Sequence, residues 1–232
     1  MLRTLASVLA GALIACTAWV LWLPDVEPLK TSPPKTTSFI ERRRAQEGAK
    51  FKPKMIWVPY SQISDNLKRA VVTAEDDMFY KHEGIDWENV RTAIEKDWEA
   101  KAPKYGASTI TQQLARNLYL SPSKNPLRKV KEMLVAKRLE KTLGKRRILE
   151  LYLNVVEWGK GIYGAEAAAQ AYFGKPAAEL TVDEAVAMAV VLPNPRRWNP
   201  AKRGKYVERN MKRVLDRMKA SGLVDDESLT NL

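Results

Sequence analysis

Residues 56–79 read IWVPYSQISDNLKRAVVTAEDDMF, and the spacing inside this stretch sets the fold class. Ile63, Leu67, Val71 and Ala74 recur every three or four residues, the period of one helix face. Ser64 stands just before the run, where its hydroxyl can cap a first turn. The helix closes on Glu75 and Asp76. Outward from it, helical patterns dominate. One runs from about Ser108 through TITQQLARNLY, with Ile110, Leu114 and Leu118 on one stripe. Another spans Leu127 to Leu143, where Gly144 stops it. A third begins near Lys145 and carries ILELYLN. GAEAAAQAYF (164–173) and TVDEAVAMAVVL (181–192) follow, the latter opening on a Thr181/Glu184 capping box. Pro193, Pro195 and Pro200 break the chain before a basic helix, VERNMKRVLDRMKAS. No strand series or internal repeat stands out, so the spacing predicts a mainly α fold.

Composition narrows the partners. The 232 residues are 45% apolar, enough for a core, and carry a net charge of +12 with a pI near 9.7. That balance calls for an anionic partner: nucleic acid, lipid headgroups or a phosphorylated substrate. No helix-turn-helix, zinc finger or RNA-binding signature is present, so nucleic acid is not expected. A lone cysteine, Cys16, and a lone histidine, His82, exclude an intrachain disulfide and a His/Cys zinc site.

Residues 5–23 read LASVLAGALIACTAWVLWL without a charge, about the length that spans a bilayer. Arg3 precedes the run, Asp25 and Glu27 follow it, and Trp19 and Trp22 sit near its outer end, which predicts a cytoplasmic N-terminus. Leu13 to Cys16 resembles a lipoprotein cleavage box, but TAWVLWL continues the apolar run past it. The expected organisation is a cytoplasmic stub (1–4), a transmembrane anchor (5–23), a juxtamembrane linker (24–54) and a catalytic domain (55–232). In the linker, Arg42, Arg43 and Arg44 read equally well as headgroup contacts or as a solvated basic face.

Two apparent motifs have plain readings. Gly159, Gly161 and Gly164 spell GxGxxG, but without a surrounding βαβ unit they read as a turn between helices. Ser121 and Lys124 spell SxxK on a proline loop with no partner motifs. The chemistry-bearing stretches lie elsewhere. Glu75 ends an apolar helix, where burial would raise a carboxyl toward neutral pH and suit it to proton transfer; alone, the stretch reads more simply as surface acids. Thr109, Gln113 and Arg116 share one helix face, following a glycine-marked helix start that can receive an anion. Arg128 and Glu132 lie one turn apart beside Lys129 and Lys131, either a surface ion pair or a cationic cradle with a second carboxylate.

In this order the stretches resemble glycosyltransferase family 51, the bacterial peptidoglycan polymerases, over about residues 60–200. The pattern ED..F..H.G.D is met by Glu75, Asp76, Phe79, His82, Gly84 and Asp86, and G.ST..QQ…N by Gly106, Ser108, Thr109, Gln112, Gln113 and Asn117. RK..E is met by Arg128, Lys129 and Glu132, and ILE.YLN by Ile148 through Asn154. The short chain resembles the monofunctional form. One departure is Arg116, where many members carry Lys; a fork replaces a point charge.

The resemblance implies a lysozyme-like, bilobal helical domain behind an N-terminal transmembrane helix. It implies that lipid II is polymerised into glycan strands by inverting transfer, with undecaprenyl pyrophosphate leaving. Glu75 would be the general base and Glu132 the second catalytic carboxylate. Asp76, Ser108, Thr109, Gln112, Gln113, Arg116, Asn117, Arg128 and Lys131 would bind substrate and pyrophosphate, and His82, Phe79 and Gly84 would be structural. A divalent cation, Mg2+ or Mn2+, is the one cofactor implied, with Glu132 as its candidate ligand. The implied partners are lipid II, the growing strand, membrane lipids and other cell-wall synthesis proteins, at the bacterial inner membrane with the catalytic domain periplasmic. The rival readings are a lytic enzyme of lysozyme-like fold, which needs no pyrophosphate site, and a non-enzymatic scaffold, which needs no carboxylates.

Overall fold

A computed structural model describes residues 2–102, 106–123 and 125–224. Met1, Lys124 and residues 225–232 lie outside the described residues, and with them part of the expected stub, the SxxK lysine and the domain's last residues. The described chain is mainly helical: α1 (Leu2–Leu21), α2 (Ser38–Glu47), α3 (Asp65–Glu75), α4 (Trp87–Glu99), α5 (Ile110–Tyr119), α6 (Pro126–Thr142), α7 (Lys145–Val155), α8 (Ala165–Phe173), α9 (Val182–Val191) and α10 (Lys205–Ala220). α1 covers most of the stretch read as an anchor; among the described residues no helix is long and apolar enough to cross a membrane.

Two groups of helices share one core. α3 and α10 pack on α9, while α5 packs on α6, α7 and α2. Past its acidic first turn, α9 is apolar on every side, and the helix is almost wholly buried, as a central helix must be. Its Thr181/Glu184 capping box forms as the spacing predicts. α4 was not legible in the periodicity. Its large apolar residues, Trp87, Ile94 and Trp98, point outward, and among its residues only Ala93 is buried, so no core stripe marks it.

Residues 24–54 are more than the expected linker. Thr37 caps α2 by accepting the Ile40 N–H, the Ser38 hydroxyl donates to the Leu118 carbonyl at 3.0 Å, and Val26, Leu29 and Ile40 are buried. Burying these apolar side chains stabilises a docked segment over a free one. Within it, Arg44 is paired with Glu41 and Arg43 with Gln46.

A small sheet, order β1-β3-β2, also departs from the all-helical reading. β1 (Lys54–Met55) runs parallel to β3 (Ile162–Tyr163), which pairs antiparallel with β2 (Glu157–Gly159). Strands of two or three residues are too short to produce a period-2 signal. The GxGxxG glycines belong to this hairpin and the start of α8, the turn reading. Gly164 has φ +83 and ψ 150, a region open essentially only to glycine, and a Cβ there would lie 2.7 Å from the Asn154 carbonyl oxygen. Asn154 itself is fully buried and exchanges two 3.0 Å bonds with the backbone of Val58, from Val58 N–H to Oδ1 and from Nδ2 to Val58 O. Gly164→Ala is therefore expected to cost about 3 kcal/mol or more, read as a lowered midpoint in denaturant unfolding.

Candidate active site

The two helix groups meet where α3 ends and α5 begins. Asp76, the residue after α3, is buried, and its carboxylate makes this junction. It accepts the Ile110 N–H, an orphan donor of the first turn of α5, at 2.9 Å, and pairs with His82 Nε2 at 2.9 and 3.1 Å. His82 Nδ1 accepts from Gly84 N–H at 3.1 Å, so the ring proton sits on Nε2 and points at Asp76. Gly84 has φ +86, a Cβ there would come within 3.2 Å of the Ala136 carbonyl, and its own carbonyl accepts from the Thr109 hydroxyl at 2.7 Å. Phe79 is fully buried beside the His82 ring. These residues lock a loop onto a helix start. Asp76, expected to bind substrate, is occupied in that structural task.

Thr109 caps α5 in a box with Gln112, which the sequence pattern did not single out as a cap. The cap sets the next turn in place. Gln113 Nε2 donates to Glu75 Oε2 at 2.7 Å, and the Tyr152 hydroxyl donates to Gln113 Oε1 at 2.9 Å. Tyr152 thereby fixes which end of the amide faces Glu75. Glu75 is half-buried. Burial, the largest effect, holds its carboxyl above the ordinary value, against the Gln113 hydrogen bond and the Arg116 charge, which favour ionisation, while Asp76 opposes it. Arg116 Nε is buried and has no hydrogen-bond partner among the described residues. Asn117 turns back, its Nδ2 donating to the Gln113 carbonyl at 2.9 Å. A cleft of about 530 Å³ opens beside Glu75, lined also by Asp86, Glu88, Asn89, Gly106 and Arg217.

The second cluster stands on α6 and touches the same turn of α5. Glu132 is fully buried. Arg128 Nη1 donates to its Oε2, and Lys129 Nζ to its Oε1 at 2.6 Å. Lys129 also reaches the Ser108 hydroxyl at 2.9 Å and Gln112 Oε1 at 3.5 Å, and Arg128 Nε donates to the Ser123 carbonyl at 2.6 Å. With both oxygens taken by cations, Glu132 does not fit the expected role of metal ligand. No group of three His, Cys, Asp or Glu side chains suited to a metal occurs among the described residues.

Lys131 does not join this cluster. The helical turn points it away, to donate to the Trp19 carbonyl at 2.7 Å with the Trp19 ring 4.2 Å from its ammonium. Two participants escaped the list drawn from the sequence. Lys129, placed in a motif but given no role, is the cation nearest Ser108. Tyr206 stacks on Trp198 at 3.6 Å, and its hydroxyl is raised by burial and then by the charge of Glu75; nothing in the basic terminal helix marks it.

A basic carboxyl and a fixed cation pair, brought to one helix start on a mainly helical frame, define an enzyme built for group transfer. A model of the transglycosylase family matches residues 43–219, and the chain belongs to that family. Curated relatives carry the name biosynthetic peptidoglycan transglycosylase. The protein from Azoarcus sp. (strain BH72) is 49% identical over 206 residues, covering 85% of this chain and 89% of the relative. That from Aromatoleum aromaticum is 52% identical over 168 residues, covering 71% and 73%, and that from Laribacter hongkongensis is 39% identical over 222 residues, covering 94% and 97%.

A carboxyl whose folded-state value is raised stabilises the fold below its unfolded value, and that contribution is lost as pH rises through the folded value. Glu75→Gln keeps an acceptor for Gln113 and never ionises. Its thermal midpoint is expected to match or exceed the parent's at pH 8, with the gap closing as pH falls toward the unperturbed value of 4.5. A variant much less stable at pH 8 would contradict this.

Proposed function

We propose that this enzyme extends peptidoglycan glycan strands from lipid II, and the observation that carries the reading is that one turn of α5 holds both the raised Glu75 carboxyl, through Gln113, and the Lys129–Glu132–Arg128 cluster, through Gln112. Glu75 acts as general base on the 4-hydroxyl of the acceptor GlcNAc. The acceptor oxygen forms a bond to C1 of the donor MurNAc, the C1–O bond to the undecaprenyl pyrophosphate breaks with inversion, and the hydroxyl proton ends on Glu75. Positioned proton transfer of this kind contributes about 10²–10⁴-fold. Lys129, Arg128 and Arg116 meet the negative charge that grows on the departing pyrophosphate. Glu132 holds the first two in place. Both of its oxygens are engaged in doing so. The raised Glu75 value means that turnover climbs with pH until the carboxyl is ionised.

The same reading places residues 5–23 in the bacterial inner membrane as a single-pass anchor after a stub of residues 1–4. Residues 24–54 lead to a lysozyme-like, bilobal periplasmic domain over 55–232. The uncharged run, its flanking charges and its terminal tryptophans support it. Strand synthesis at that surface brings membrane lipids, the growing strand and other cell-wall synthesis proteins into reach.

The deciding experiment gives the purified full chain lipid II or intact sacculi. Polymer from lipid II and no release of fragments from sacculi is expected; the reverse would establish the lytic enzyme. In the same assay Glu75→Gln is expected to lose activity by about 10²-fold or more while remaining folded. Lys129→Ala is expected to lower kcat/KM for lipid II by roughly tenfold or more and to lower the melting temperature by several degrees, because one oxygen of buried Glu132 loses its cation while Arg128 still pairs the other.

A further inference from the structure

Below the catalytic cluster, α6 carries cations that the proposed reaction does not use. Lys137, Arg138 and Lys141 line a hollow of about 540 Å³ together with Lys30, which follows the end of α1, and with the apolar side chains of Leu23 and Leu134. One carboxylate, Glu27, also faces it and is paired with Lys30 at 2.7 Å. Among the described residues no acid pairs with Lys137, Arg138 or Lys141. Lys137 stands nine positions past Arg128 and five past Glu132, about 13.5 and about 7.5 Å along the helix axis, so the hollow's cations lie beyond the cluster around Glu132.

The neighbouring contacts fix its level. Lys131 is buried on the same helix and grips the last turns of α1 through the Trp19 carbonyl, with the Trp22 ring 5.4 Å away. Tryptophans at the end of an apolar helix sit at the membrane–water boundary. Leu23 comes directly after them and forms part of the hollow's wall. The hollow therefore lies at headgroup depth, cationic where a phosphate would be and apolar where acyl chains begin.

We propose that this hollow binds the headgroup of an anionic phospholipid, with Lys137, Arg138 and Lys141 on the phosphate and Leu23 and Leu134 against the first methylenes. The site rests on the anchor reading for its depth. Its occupant is argued from the pairing of three uncompensated cations with an apolar wall, which suits a lipid anion better than a free one.

The test uses the full chain in neutral detergent and native mass spectrometry to follow retention of phosphatidylglycerol, phosphatidylcholine or inorganic phosphate. A Lys137→Ala/Lys141→Ala double variant is compared with Lys160→Ala/Lys212→Ala, which removes equal charge from exposed sites elsewhere. Phosphatidylglycerol affinity is expected to fall roughly ten- to thirtyfold in the first variant, at about 1 kcal/mol per surface lysine, and to hold in the second. Phosphatidylcholine should not be retained, and lipid II use in neutral detergent should be unchanged. Equal phosphatidylglycerol affinity in both variants, retention of phosphatidylcholine, or equal binding of inorganic phosphate would overturn the proposal, as would loss of lipid II use, which would give these cations to the substrate. Alkaline extraction of membranes tests the anchor separately, because detergent-borne lipid reaches the hollow whether or not α1 spans a bilayer.

Discussion

The carboxylate of Asp76 is the contact on which the site depends. It satisfies the Ile110 N–H at the head of α5 and holds His82, so the end of one helix group is tied to the start of the other. A buried carboxylate is costly without partners, and here it has both a backbone donor and an imidazole N–H. Glu75 precedes Asp76 in the chain and Gln113 lies one turn beyond Ile110. Fixing the second residue of each pair fixes the first contact between them. The reactive carboxyl is thus placed by its neighbour, and the neighbour's own polar capacity is consumed in doing so.

Two adjacent acids consequently diverge. Asp76 is surrounded by donors, while Glu75 has one amide donor and is pushed upward by burial. Tyr152 sharpens the difference by fixing the amide's orientation from beneath. The positive composition divides similarly. Some cations serve buried acids, as Arg128 and Lys129 do for Glu132; some hold the fold, as Lys131 does at Trp19; and others face outward, as Lys137 and Lys141 do.

The helices with a core-facing stripe, α3, α5 and α7, were legible in the sequence because burial imposes the 3.6-residue period, and α9 through its capping box and apolar run. α4 was not, since its aromatic face is exposed, and the short strands carry too few residues to show alternation. The site was legible as a set of residues but not as a division of labour. The resemblance put Asp76, Thr109 and Gln112 among the binding groups, and the tertiary contacts show the capping and bracing bonds they make, which no spacing announces. Lys131 differs from Lys129 by two positions, a rotation of about 200° around the helix, and that alone sends it to α1. Tyr206 comes from a distant segment whose approach no local pattern encodes.

Glu132 and the two cations that neutralise it all stand on α6, within one turn of each other. The trio travels as a single unit of net charge +1, its one acid doubly paired. Should α6 slide against α5, Glu132 would not be stranded, because its ion pairs move with the helix; the catches from Lys129 to Ser108 and Gln112 and from Thr111 to Glu140 would be released. Breaking such a polar contact costs about 1–3 kcal/mol, against roughly 3–5 kcal/mol for leaving a buried acid unpaired. The charge balance of Glu132 is therefore internal to α6, and small adjustments of that helix leave it intact.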